Sequence, residues 1–334
     1  MATDLRPDCS AHRVPACEEG VLPVGDGHAV AWSAHGHPQG LPVVVLHGGP
    51  GSGASLKHLD FFPLDRCRVV LMDQRGCGRS TPLGATHANT TAHLVHDIAA
   101  LRRHLGLPAW LVVGGSWGGT LALAYAQAEP EACLGVLLRA PFLPGPAALH
   151  WFCLGAGGLR PEAHGHWLGL PALANYPERH TVPGILHAYA HAVGEPGDDG
   201  REALTRWLHW EATLERWHQP PVWTGEPPPA DRLGALQARA RIQLHYLQQG
   251  CFVDVAALLA GVRSLAQVPA AIVQGDCDAV CPAGLSWAVH RAWPGSVWRA
   301  VAQGTHAPFD GEMPAAMRQL VCQFVAHQRF SGTA

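Results

Sequence analysis

Charge is scarce in this chain: Asp, Glu, Lys and Arg make up 15% of its 334 residues and nearly cancel, leaving a formal charge of −3. No basic stripe offers a phosphate-neutralising face, which argues against nucleic acid as a partner. No apolar run reaches the 18 or more residues a membrane-spanning helix needs, so no membrane partner is expected either. The first twenty residues, MATDLRPDCSAHRVPACEEG, lack the apolar stretch of a signal peptide. The ten cysteines contain no CxxC pair. Without an export signal they read as free thiols, and the expected location is the cytoplasm. The 22 histidines include pairs such as His93/His96 and His164/His166, but neither HExxH nor a compact Cys/His set, so no metal is expected.

What the chain does have is apolar residue, at 48%, enough for a sizeable core in one large domain or a core with an insertion. Short Val/Leu runs alternate with helical patterns. LPVVVLHG (41–48), RCRVVLMDQRG (66–76), AWLVVGGS (109–116) and CLGVLLRAP (133–141) read as buried strands. A helix with Leu94, Ile98, Leu101 and Leu105 on one face lies between the second and third, opening near Asn89-Thr90-Thr91 and stopped by Gly106 and Pro108. Another, SWGGTLALAYAQAEP, runs to Pro130. Strands and helices in alternation predict an α/β protein with a mostly parallel central sheet flanked by helices. The texture changes near 142. Strand runs disappear, Pro, Gly, Trp and His accumulate, and 200–217 and 233–250 carry helical patterns on either side of EPPPAD (226–231). Strand runs return at VPAAIVQGDCD (268–278) and SVWRAVAQGTH (296–306), and a helix over 311–328 closes the chain. The expected division is a core of 1–141 and 255–334 with a helical cap of 142–254.

GGSWGG holds a G-x-S-x-G pattern centred on Ser116, after a strand and before a helix. With 38 glycines in the chain, chance placement gives roughly 0.1 matches to this motif. The pattern puts a serine on a sharp turn, where a base can activate its hydroxyl as a nucleophile. In this motif's chain order an acid and then a histidine follow, each on a loop after a sheet strand. Asp276 and Asp278 both follow AAIVQG. Asp278 is preferred because its loop must extend past the strand end, with Asp276 as the alternative. His290 and His327 fall in helical stretches, whereas His306 follows a strand and a glycine. His306 would be the general base and Asp278 would hold its tautomer. The oxyanion donors would be the backbone N–H of Trp117 and that of Gly49 in HGGPGSG (47–53), a loop lacking the Lys-Ser/Thr of a P-loop.

HGGPG (47–51), DQRGCGRSTP (73–82), NTTAHLVHDIAALRRHLG (89–106) and GGSWGGTLALAYAQ (114–127) together resemble the proline iminopeptidases, or prolyl aminopeptidases. LHWEATLERW (208–217), ARIQLHY (240–246) and GDCDAVCP (275–282) extend the likeness, which covers roughly residues 20–325. The resemblance implies an α/β-hydrolase fold with an inserted helical cap and a serine peptidase releasing N-terminal proline from peptides. It also implies the triad Ser116, Asp278 and His306, with no cofactor. It places Glu211 at a cap position that holds the substrate's amine and Cys281 at a pocket position against the proline ring. A second amine-binding glutamate is expected where this chain has Gln243. An amide carries no charge, so an esterase or amidase acting on another acyl group is the alternative reading. A non-enzymatic binding protein on the same scaffold is the third. Arg139 matches the pattern too and is expected in a structural ion pair. Trp207, Trp210 and Trp217 are expected to pack the cap or to wall the proline pocket.

Overall fold

The computed structural model describes residues 16–176, 178–219 and 226–331. Most of the segment read for a signal peptide, with Cys9, lies outside the described residues. Eight strands form one sheet: β1 (Glu18–Gly25), β2 (His28–Gly36), β3 (Leu41–Leu46), β4 (Cys67–Met72), β5 (Trp110–Gly115), β6 (Cys133–Arg139), β7 (Ala270–Gly275) and β8 (Val297–Val301). Their order across the sheet is β1-β2-β4-β3-β5-β6-β7-β8. From β4 onward neighbours are parallel, with Val44 of β3 opposite Val70 of β4 and Val112 of β5. The helices are α1 (Thr91–His104), α2 (Trp117–Ala128), α3 (Pro146–Cys153), α4 (Pro161–Leu168), α5 (Val182–Gly194), α6 (Asp198–Glu215), α7 (Ala230–Gln248), α8 (Val255–Gly261), α9 (Ala283–Ala292) and α10 (Met313–His327).

The central strands read as unbroken apolar runs because both of their faces are covered. Val43, Val45, Val69, Leu71, Leu111 and Val113 point to the side of α10, where Met317, Leu320, Val321 and Phe324 meet them. Val44, Leu46, Val70, Met72 and Val112 point the opposite way, toward Leu94, Ile98 and Leu101 of α1 and Leu121 and Tyr125 of α2. The helical stripe anticipated in α1 is the face it buries.

One edge departs from the parallel pattern. β1 pairs with β2, and β2 with β4, antiparallel. The turn between β1 and β2 is Asp26-Gly27, with φ of 54° and 74°. Positive φ at both central residues is what a tight hairpin turn needs.

Between β6 and β7 the described residues contain helices and no strand. α3 to α7 enclose an aromatic centre of their own. Trp167 stacks on Tyr189 at 5.3 Å and on Trp210 at 5.5 Å between ring centroids, and Trp207 lies 5.3 Å from Tyr189. Buried Trp and Tyr need partners for their polar ends. Tyr189 donates to the Trp167 carbonyl at 2.7 Å and Trp210 to the Phe152 carbonyl at 3.0 Å. α7 sits against the end of the sheet, its Tyr246 hydroxyl donating to Asn89 Oδ1 at 2.8 Å. The backbone there is close enough that a Cβ on Gly51 would lie 2.7 Å from the Arg239 carbonyl oxygen. Among the described residues no helix is long and apolar enough to cross a membrane.

Candidate active site

In an open parallel sheet, ligands bind beyond the carboxyl ends of the strands. Here the segments that follow β3, β5, β7 and β8 meet at that edge, roofed by α6 and α7. Ser116 stands between β5 and α2 with φ 55° and ψ −125°, a conformation L-residues rarely adopt. Such a residue costs on the order of 1–3 kcal/mol and persists only where its surroundings hold it. The Ser116 N–H donates to the Arg139 carbonyl at 2.9 Å, and the Ser116 carbonyl accepts from Gly119 and Phe142. The flanking glycines are required by space. A Cβ on Gly114 would collide with the Gly118 carbonyl, and one on Gly118 with that of Leu46. The turn therefore carries the serine side chain outward while the backbone on either side is packed on backbone.

The loop after β7 delivers Asp278 and the loop after β8 delivers His306. His306 Nδ1–H donates to Asp278 Oδ2 at 2.8 Å, with both side chains buried. The other carboxylate oxygen accepts from the N–H groups of Val280 at 2.9 Å and Cys281 at 2.7 Å. Asp278 is thus fixed from both sides. Asp276, the alternative acid, is exposed.

Ser116 and His306 share the wall of a cavity of about 290 Å³, together with Gly48 and Gly49 of the first loop. That loop comes close: a Cβ on Gly48 would lie 3.9 Å from Ser116 Oγ. Trp117 opens α2, where N–H groups have no acceptor within the helix and remain available to a ligand. Phe142, Phe152 and Phe309 supply apolar wall. Trp207 and Trp210 do not line the cavity; they are fully buried in the cap's aromatic centre. Trp217 donates to the Cys277 carbonyl at 2.7 Å.

The cap contributes Glu211 and Glu215, one turn apart on α6, and Arg239 and Gln243, one turn apart on α7. Glu211 lies on the stripe that buries Leu204 and Trp207, an unusual place for a carboxylate. Burial pushes its carboxyl up from the ordinary glutamate range, opposed by Arg239 and then by a hydrogen bond from Gln243. Gln243 Nε2 donates to Glu211 Oε1 at 2.5 Å, and Gln243 Oε1 accepts from Trp207 Nε1 at 3.0 Å. Arg239 reaches Glu211 Oε2 at 3.2 Å.

One residue, Arg139, behaves differently from expectation. Arg139 has no carboxylate within 4.0 Å among the described residues; its guanidinium donates to the His306 carbonyl at 2.8 Å and lines the cavity. Its position at the end of β6, directly under the histidine loop, accounts for this. Cys281 is fully buried and does not line the cavity. Its backbone N–H holds Asp278, and burial pushes its thiol far above the ordinary thiol range. The histidine pairs serve locally: His93 Nδ1 meets Thr90 Oγ1 at 2.8 Å and His164 Nε2 meets the Cys153 carbonyl at 2.9 Å.

Gln74 lies in the DQRGCGRSTP stretch, but the sequence assigns it no role. Its side-chain amide donates to the His47 carbonyl at 2.9 Å and accepts from Trp117 Nε1 at 3.0 Å. Its backbone N–H donates to His47 Nε2 at 3.1 Å, and the opposite ring nitrogen donates to the Gly48 carbonyl. This neutral tautomer suits a site where burial holds the His47 pKa down. One glutamine thereby couples the glycine loop after β3 to the serine turn after β5. Gln74→Leu would leave the buried Trp117 N–H and His47 carbonyl unpaired, at about 1–3 kcal/mol for each group. We expect a lowered urea midpoint together with a lower kcat, read on the same preparation.

A strained serine between strand and helix, on this strand order, defines an α/β-hydrolase, and a family model described as alpha/beta hydrolase fold matches residues 42–156. A thermophilic esterase from Thermogutta terrifontis has the same fold, at 18% identity and a TM-score of 0.61 over 93% of this chain and 99% of its own. So has a proline iminopeptidase-related protein from Thermus thermophilus, at 23% identity and a TM-score of 0.59 over 92% and 97%. Sequence relatives are more specific. A proline iminopeptidase of Xylella fastidiosa (strain 9a5c) is 39% identical over 91% of this chain and 95% of its own. A probable proline iminopeptidase of Leptolyngbya boryana is 36% identical over 93% and 95%, and one of Arabidopsis thaliana 37% over 86% and 74%. The chain belongs to the proline iminopeptidase family.

Proposed function

We propose that the protein is a prolyl aminopeptidase working through an acyl-enzyme, with Ser116, His306 and Asp278 as its triad. Ser116 Oγ attacks the carbonyl of an N-terminal proline. His306 takes the hydroxyl proton and returns it to the leaving amine, while Asp278 holds Nδ1–H and stabilises the imidazolium. The Trp117 and Gly49 N–H groups receive the oxyanion; losing one such donor costs about 3–4 kcal/mol in the transition state. Water then repeats the sequence on the acyl-enzyme. Residues 142–254 act as the cap that selects the acyl group, over a core of 1–141 and 255–334. Peptides as substrates and a cytoplasmic site of action belong to the same proposal. The observation that carries it is the 2.8 Å contact between His306 and a doubly held Asp278, in a cavity that also opens on Ser116. Steady-state assays on proline naphthylamide and on simple aryl esters test it. An enzyme fast on esters and inert on the amide would remove the peptidase reading.

An esterase or amidase is the second reading. It is favoured by a neutral amide, Gln243, rather than a carboxylate facing Glu211 from α7, since a buried substrate ammonium is stabilised by paired negative charge. Gln243→Glu should lower KM for proline substrates. It would set two carboxylates where the amide and Glu211 now meet at 2.5 Å, and with Arg239 able to offset only one of them the second is left for a substrate ammonium. An unchanged or higher KM would place Gln243 away from the amine.

A further inference from the structure

The lining of the cavity is electrically balanced before any substrate arrives. Glu211 is the carboxylate on the apolar stripe of α6, its side chain 14% exposed, and both of its oxygens already have partners from α7. One partner is a neutral amide. The other, Arg239, is a full positive charge 3.2 Å away, in the place where an ammonium would bind. One turn further along α6, Glu215 adds a second negative charge to the lining, and Arg139, at the end of β6, adds a second positive one. Two guanidinium groups and two carboxylates therefore line the pocket, with no negative excess for a cationic acyl group to neutralise. His58, on the wall near Phe309, adds nothing, because burial lowers its pKa to about 4.

Arg239 is also lightly held. Its side chain is 29% exposed, its buried Nε has no hydrogen-bond partner, and its contact with Glu211 runs through a single terminal nitrogen rather than a bidentate fork. Its backbone, in contrast, is pinned against Gly51 of the glycine loop. The head group can swing away while the helix stays. A substrate ammonium must displace it to reach Glu211, whereas an uncharged acyl group leaves the pair intact.

We infer that Arg239 is a built-in competitor for the substrate's amine, a specificity determinant that lets this pocket accept uncharged acyl groups about as well as a cationic proline. The inference rests on the proposed acyl transfer at Ser116 and on Glu211 as the amine anchor. It gives a substrate class wider than N-terminal proline: five-membered and similar small rings joined to an ester or amide carbonyl, with or without a ring nitrogen.

The test uses two aryl esters that differ only in the ring, proline ester and cyclopentanecarboxylate ester, the second having CH₂ in place of NH₂⁺. For the parent protein the two kcat/KM values should agree within about tenfold, and Arg239→Leu should raise the preference for the proline ester at least about tenfold, the range of a hydrogen bond to a charged group. The gain should lie in KM, with kcat for both esters within about threefold of the parent, because removing Arg239 frees a binding contact and touches no reacting atom. Arg239→Lys keeps the charge and should keep the parental preference; a purely structural role would make it resemble the leucine variant. Should Arg239→Leu fold poorly, Arg239→Gln gives the same reading. An unmoved preference in a protein that cleaves both esters overturns this inference alone. If the parent cleaves neither ester, the proposed function falls and this inference with it.

Discussion

Ser116→Ala should abolish acyl transfer, with kcat falling on the order of 10⁶-fold, the scale seen when a triad nucleophile is removed. Fluorophosphonate labelling should vanish with it. Asp278→Asn is the more informative change. The asparagine oxygen can still accept from Val280 and Cys281, so the loop keeps its shape. The amide then faces His306 Nδ1 as a donor and forces that nitrogen to accept. The remaining ring proton moves to Nε2, where it points at the serine and cannot take a second proton from it. An intact fold with a wrong tautomer should cost about 10⁴-fold in kcat. Unchanged melting with that loss supports the assignment, and activity within tenfold of the parent would remove Asp278 from the chemistry.

The second large effect concerns stability. Arg75 donates to both oxygens of Asp97, at 2.6 and 2.8 Å, with both side chains essentially excluded from solvent. Arg75 also donates to the Val24 and Ala88 carbonyls and to Asp26. Asp97→Ala leaves a buried guanidinium facing an empty apolar space, and breaking such a pair from one side costs about 3–5 kcal/mol. A clear drop in the denaturant midpoint should follow, with no change in KM for the protein that remains folded. Replacing both partners by apolar residues, Arg75→Met with Asp97→Leu, should recover part of the loss, since the charge goes with its partner. Recovery should be incomplete, because Arg75 also ties the β1–β2 hairpin to the core. A double variant no better than Asp97→Ala would show that the hairpin contacts, rather than the ion pair, carry the energy.

Much of this architecture could be read in the amino-acid pattern, and the exceptions have physical causes. Strands β3 to β6 stand out because burial on both faces demands unbroken apolar runs. The serine turn stands out because Gly114 and Gly118 are imposed by backbone contact and leave a motif behind. Asp278 and His306 can be singled out because each follows a strand, although only the fold distinguishes a buried Asp278 from an exposed Asp276. The β1–β2 hairpin is quieter. β1 is an edge strand whose residues are half-buried or exposed, with Val21 at 60%, and Pro23 interrupts it. β2 is buried, but it is built from Ala, Ser and His as much as from Val and Trp. Arg239, and the role of Gln74 within its recognisable motif, give no signal of their own. Their positions follow from which loops and helices meet in space, and no local pattern encodes that.

The cap's aromatic centre bears on how such a protein can diversify over generations. Trp167, Tyr189, Trp207 and Trp210 hold α4, α5 and α6 together with little help from the sheet. The loops that carry the proposed chemistry are fastened separately, by Gln74, Asp278 and the strained serine turn. A mutation at Glu211 or Arg239 thus falls on a stiff frame that stands without it, whereas Gln243 also partners the Trp207 N–H. Substrate preference can drift at these few positions while the bond-breaking apparatus is inherited unaltered, and a lineage can try new acyl groups without first passing through an inactive ancestor.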